Sequence, residues 1–128
     1  MKIAIVGAGI VGVSTAYELA RDGHEVTVFT ADDAPADHVD PQEITVRRLP
    51  ILFRFGNAPF LPKLVRLEGF DVVHLHYPFY FGSEMVFYRS LAGGPPYVVT
   101  YHQDVLFQGL LRYPERVHHR LLGRRILE

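Results

Sequence analysis

Five short apolar runs pace this chain of 128 residues, and glycine turns, helical spacing and polar loops alternate between them. Met1 to Val6 reads as a first strand. Val11 to Arg21 follows with helical periodicity, Val13, Tyr17 and Ala20 facing inward and Gly23 placed to end the helix in a left-handed conformation. Glu25 to Phe29 is a second strand, and Ile44 to Leu49 alternates enough to be a third, near a sheet edge, stopped by Pro50. Between those two, Ala31 to Glu43 has five acids, two prolines and no Lys or Arg, the composition of a solvated loop. Ile51 to Phe70 is aromatic and broken by Pro59 and Pro62, which predicts an irregular connection and a short helix about Lys63 to Glu68.

The last two apolar runs, Asp71-Val72-Val73-His74-Leu75-His76 and Tyr97-Val98-Val99-Thr100-Tyr101-His102, have the form of strands buried on both faces of a parallel sheet. The segment between them is long enough for a crossover helix and closes with Gly93-Gly94-Pro95-Pro96. Val105 to Glu128 continues as one helical pattern. Leu110, Leu111, Val117, Leu121, Leu122 and Ile126 form its apolar side, and Arg112, Arg116, Arg120 and Arg124 a solvated basic side. The whole is α/β: a Rossmann-like doubly wound parallel sheet, one domain over residues 1–128.

A right-handed βαβ crossover makes neighbouring strands parallel, so their C-terminal ends share one edge. Open α/β sheets bind ligands at that edge. His76, Tyr77 and His102 are therefore expected to meet there. Gly7-Ala8-Gly9-Ile10-Val11-Gly12 is a Gly-x-Gly-x-x-Gly between strand and helix. Gly7 would permit the tight turn, Gly9 the close approach of a pyrophosphate, and Gly12 close helix–strand packing. Free N–H groups at the helix start would hold the anion. The same turn serves equally as a purely structural device. His74, His76 and His102 lack a carboxylate placed as a further ligand, so no metal site is expected. His118-His119 reads as exposed helix surface, and Glu84 as a cap on the crossover helix through its dipole. No Gly-x-Ser-x-Gly elbow, Walker lysine or Asp-x-Asp occurs.

A net charge of −1 offers no field for nucleic acid. Zero cysteines exclude a disulfide framework and a thiol nucleophile and fit a reducing compartment. No apolar run approaches the ~20 residues that span a bilayer. A soluble, cytoplasmic domain is the expectation.

Asp-Val-Val-His-Leu-His-Tyr-Pro, a helix, then Pro-Tyr-Val-Val-Thr-Tyr-His-Gln-Asp resembles the N-terminal, acceptor-side domain of family 4 glycosyltransferases. The resemblance covers residues 71 to 122 well and the strand from Glu25 to Thr30 in part. It implies one half of a two-domain GT-B fold and a retaining transfer that requires no cofactor, with a UDP- or GDP-sugar as donor. His102 would sit beside the transferred sugar and the acceptor hydroxyl as the catalytic residue. His76, Tyr77 and Asp104 would line the acceptor or substrate cleft, opposite Gly7, Gly9 and Gly12. In that family a C-terminal domain holds most of the donor, through a basic pair and a glutamate motif that this sequence does not contain. The chain is thus expected to be truncated from a longer parent and to be inactive, or nearly so, alone. Lipid-linked acceptors in the family imply peripheral contact with the inner face of a membrane, and an uncovered cleft wall implies self-association.

Residues 1 to 29 alone resemble instead the opening of FAD- or NAD-dependent amino-acid oxidoreductases, which would place the dinucleotide on Gly7, Gly9 and Gly12. Those enzymes hold a ribose with an acid at the end of the second strand. Thr30 stands there, and Asp32 and Asp33 follow late. A third possibility is an engineered or truncated Rossmann-like scaffold without activity.

Overall fold

The computed structural model of the protein describes residues 1–35, 37–102 and 112–128. Its first half comprises β1 (Lys2–Val6), α1 (Ile10–Arg21), β2 (Glu25–Ala31), β3 (Thr45–Leu49) and a hairpin of β4 (Phe53–Phe55) and β5 (Ala58–Phe60). A 3-10 helix (Pro62–Arg66), β6 (Val72–Tyr77), α2 (Gly82–Leu91) and β7 (Tyr97–Tyr101) follow. The chain then carries α3 (Arg112–His118), a π-helical turn (His119–Gly123) and α4 (Arg124–Leu127). Asp104, and the expected helical start from Val105 to Leu111, lie outside the described residues.

Five strands form one parallel sheet in the order β3-β2-β1-β6-β7. The chain moves outward from β1 to β3 and then returns to the other side of β1. The order therefore reverses between β1 and β6, the place where such sheets open a crevice at their C-terminal edge.

Side chains alternate across a strand, and that parity builds two cores. Ile3, Ile5, Val26 and Val28 bury against Ala16 of α1, with Val13, Leu19 and Ala20 packed at the margin. Ala4, Val6, Phe29, Val73, Leu75 and Tyr77 bury on the opposite face. There they meet Leu61, Leu64 and Leu67, then Val86 of α2 and Ile126 of α4. This is the α/β, doubly wound arrangement expected. Gly23, at φ +88°, follows α1 as its left-handed stop.

Several details differ from the pattern reading. Tyr17 is exposed, because Gly12 and Ala16 are the residues that let α1 lie close to the sheet. The irregular connection contains an antiparallel hairpin, in which Phe53 lies opposite Phe60 and Arg54 opposite Pro59. The following helix is a 3-10 turn that begins one residue early, at Pro62. β7 is an edge strand: Tyr97 and Val99 are half-buried on one face, and Val98 is exposed on the other.

The terminal segment docks through Leu122, Gly123 and Ile126, while Val117 and Leu121 face solvent. The π-helical turn between them takes an extra residue and so rotates the apolar stripe away from its α-helical register. Arg116, Arg120 and Arg124 are exposed, as a solvated basic face requires. His118 is not simply surface. Its Nε2 pairs with Oε1 of Glu84, which is only 7% exposed in the first turn of α2. Glu84 therefore anchors the terminal helix as well as standing at a helix start. Removing one partner from a buried charge leaves the other unsatisfied. His118→Ala should cost about 2 kcal/mol in urea denaturation, and Glu84→Met combined with His118→Leu clearly less.

Candidate functional site

A cleft of about 460 Å³ opens at the C-terminal edge of the sheet, over the point where strand order reverses. That volume is within the range of small-molecule sites. Its floor is the turn from Gly7 to Gly12, joining β1 to α1. Gly7 has φ +111°, and a Cβ there would also lie 3.3 Å from that of His76. Gly12 is held by contact, since its Cβ would fall 2.2 Å from the Gly7 carbonyl oxygen. Gly9 differs from both. It is extended, and a Cβ there would meet nothing within 4 Å. Its missing side chain leaves space in the cleft rather than relieving a contact within the protein.

Gly9 is also the N-cap of α1, with no side-chain cap and no acidic residue in the first turn. A helix start without such a cap presents unsatisfied N–H groups and a partial positive charge. Ile10, Val11 and Gly12 all border the cleft.

The second wall comes from the ends of β6 and β7. His74 and His76 share the face toward α1, and Thr100 and His102 occupy the same parity on the neighbouring strand. His76 Nδ1 and His102 Nε2 are 2.8 Å apart, one N–H donating to the other nitrogen, with ring centroids at 5.0 Å. His74 stacks on His76 from below at 4.6 Å, and its Nε2 is 2.6 Å from Thr100 Oγ1. The two strand-end imidazoles thus meet at one rim. His102 is exposed there, while His76 is 7% exposed and its Nε2 has no hydrogen-bond partner among the described residues.

Burial, then the His74 and His102 imidazoles, pulls His76 down to about 4. Burial, then His102, lowers His74 as well. His76 is consequently neutral at neutral pH, able to offer one donor and one acceptor nitrogen.

Tyr77, expected in the cleft, lies on the opposite side of β6. It is buried in the second core and stacked on Tyr101 at 5.6 Å. Strand parity accounts for this: the residue after an inward His76 must point to the other face. Pro78 and Phe79, just beyond the strand, do line the cleft.

The third wall was not anticipated from sequence. Thr30 and Asp33, at and after the end of β2, face Arg54, Asn57 and Pro59 of the hairpin. Arg54 is ion-paired with Asp33, and both are partly exposed. The pair Gly56-Asn57 between two aromatic runs is a recognisable hairpin signal, and it would have placed Arg54 on a strand beside the site.

Among the described residues no group of three His, Cys, Asp or Glu side chains is arranged to hold a metal ion, and no helix is long and apolar enough to cross a membrane.

Comparison with known proteins bears on this geometry. The profile described as Glycosyltransferase Family 4 matches residues 5–127. The chain belongs to glycosyltransferase family 4. The match takes in the glycine turn, both histidine-ended strands and the terminal helix, so the whole cleft of this family 4 domain falls inside it.

Shorter likenesses point elsewhere. D-amino acid dehydrogenase of Sinorhizobium medicae is 56% identical over 36 residues, 28% of this chain and 9% of that protein. D-amino acid dehydrogenase 2 of Mesorhizobium japonicum is 61% identical over 36 residues, with the same shares. D-amino acid dehydrogenase 2 of Ralstonia nicotianae is 54% identical over 37 residues, 29% of this chain and 9% of that protein. The chain spans about a tenth of the length of these curated relatives. Such stretches are the size of a single βαβ opening and carry no more than that unit.

Proposed function

We propose that this family 4 domain forms the acceptor side of the catalytic cleft in a retaining, nucleotide-sugar-dependent transferase, with the donor held mainly by a second domain. The observation that supports it best is the contact between His76 and His102 at the rim facing the Gly7–Gly12 turn. Glycosyl transfer breaks the bond from the sugar carbon to a phosphate oxygen and makes one to the acceptor oxygen. Its two demands are stabilisation of the leaving phosphate and alignment of the hydroxyl. The uncapped start of α1 is suited to the first. His102, the catalytic residue in this reading, is suited to the second, with His76 fixing its ring through the shared hydrogen bond.

A UDP- or GDP-sugar is the donor we infer, and no cofactor is needed. Alone, the domain would bind weakly and transfer little. Partners on this reading are a C-terminal donor domain and, through the exposed Arg116, Arg120 and Arg124 beside Val117 and Leu121, an anionic membrane face. Self-association through the uncovered wall is a further proposal. The cytoplasm, bordering the inner membrane face, is the location we assign.

A second reading, an FAD- or NAD-binding unit, is favoured by the glycine spacing and the dehydrogenase likenesses. Against it, Thr30 stands where an acid would hold the ribose, and Asp33 is engaged with Arg54. Calorimetric titration with UDP- and GDP-sugars, NAD and FAD separates the two. Nucleotide-sugar binding is expected, and tight binding of FAD or NAD would overturn the transferase reading. In an enzyme with both domains, His102→Ala should lower kcat about a hundredfold while moving Tm by only a few degrees.

A further inference from the structure

We propose that Arg54 makes this cleft selective for an acceptor bearing a negatively charged group, a phosphate or a carboxylate, seated against the β4–β5 hairpin. The inference rests on the transferase reading above and adds the chemical class of the acceptor to it. Among the described residues lining the cleft, Arg54 is the only lysine or arginine. Asp33 is the only carboxylate there, and it meets one terminal nitrogen of the Arg54 guanidinium.

The pair is 39% and 49% exposed, so it contributes little to folding. A single-nitrogen contact also leaves unused the planar fork with which a guanidinium grips phosphate or carboxylate through two parallel hydrogen bonds. Asp33 is therefore a placeholder: it holds the side chain over the cleft until a ligand anion takes the fork.

The hairpin that carries Arg54 is tied to the rest of the domain by aromatic contacts. Phe53 and Phe60 pack at 5.0 Å, and both meet Phe81, beside the first turn of α2, at 5.7 and 6.0 Å. Strand alternation puts Phe53 on the packed side of the hairpin and Arg54 on the cleft side. The opposite end, at the uncapped start of α1, is left to the donor phosphate, so the two anions would occupy different ends of the cleft. Pro59, Pro78 and Phe79 leave an apolar margin between the two polar ends for the face of a sugar ring.

The test titrates glucose, glucose 6-phosphate and glucuronate into the 128-residue chain. NMR follows the Arg54 side-chain N–H and the Asn57 amide, with Arg54→Ala, Arg54→Lys and Asp33→Asn in parallel. At least one charged sugar should bind about tenfold tighter than glucose. The preference should fall below about threefold in Arg54→Ala, survive in part in Arg54→Lys, and hold or grow in Asp33→Asn. Preference for glucose 6-phosphate alone assigns a phosphate-bearing acceptor, and preference for both charged sugars admits carboxylates. Equal binding of all three sugars, binding of none, or a preference unchanged by Arg54→Ala would overturn the proposal. If Arg54→Ala does not fold, Arg54→Lys and Asp33→Asn decide alone, and an anion preference lost in Asp33→Asn counts against it. Nucleotide-sugar binding without anion preference sinks only the acceptor class. Anion preference without nucleotide-sugar binding sinks the transferase reading and leaves the anion site standing.

Discussion

Gly12→Ala is expected to cost the domain about 3 kcal/mol, whereas Gly9→Ala, three residues earlier in the same turn, should cost less than about 1 kcal/mol. The difference is steric. An added Cβ at position 12 would stand 2.2 Å from the Gly7 carbonyl oxygen and 3.2 Å from its carbon. Both are backbone atoms with no rotamer to escape into. Relief would require α1 to lift from β1, and that would disturb the packing of Ala16 against Ile5 and Val28. At position 9 the backbone is extended and the space empty, so alanine fits. Binding should show the reverse order of sensitivity. A methyl group at Gly9 would occupy the volume a phosphate needs to reach the amides of Ile10 and Val11. Urea denaturation of both variants, followed by nucleotide-sugar titration of Gly9→Ala, checks both halves. Equal stability losses, or unimpaired binding by Gly9→Ala, would show that the turn serves packing alone.

Acid should weaken the fold through His76. In the native state burial and two neighbouring imidazoles hold its pKa at about 4, against 6.5 in the unfolded chain. The unfolded state therefore binds the proton first as pH falls. This contribution to stability is fully present above about pH 6.5, declines between 6.5 and 4, and changes no further below 4. Its full size is about 3 kcal/mol, and the lowered pKa of His74 acts in the same direction. The groups facing His76 are His74 on its own strand and His102 just after β7, with Asp33 and Arg54 on the hairpin side of the cleft. Because carboxylates elsewhere also titrate in acid, the informative quantity is the difference between the parent chain and His76→Gln. The parent should lose about 2 kcal/mol more than the variant between pH 7.5 and pH 4.5. Parallel pH profiles would mean that His76 is solvated and the imidazole stack is not formed.

Much of this architecture is legible in the amino-acid order, for reasons that can be named. Runs such as Ile3-Ala4-Ile5-Val6 and Val72-Val73-His74-Leu75 carry apolar residues on both parities, which is why they sit inside a sheet covered on both faces. The histidines at positions 76 and 102 share a rim because each closes one of two adjacent parallel strands. Strand parity and turns account for the differences. Tyr77 follows an inward histidine and so had to point away from the cleft. Arg54 was hidden in a proline-broken segment whose Gly56-Asn57 turn nonetheless marks a hairpin. Val117 and Leu121 fit an α-helical stripe, but a π turn shifts the register that places them. The His118–Glu84 pair joins residues 34 positions apart, and no local pattern announces such a contact.

The central claim is that the glycine turn and the two strand-end histidines form a single binding site. Nucleotide-sugar titration of a chain labelled with ¹⁵N on its histidine rings and backbone tests it most directly. The account predicts that the His76 and His102 ring nitrogens and the Gly9, Ile10 and Val11 amides shift together, along one saturation curve. Saturable binding that leaves those resonances in place would contradict it.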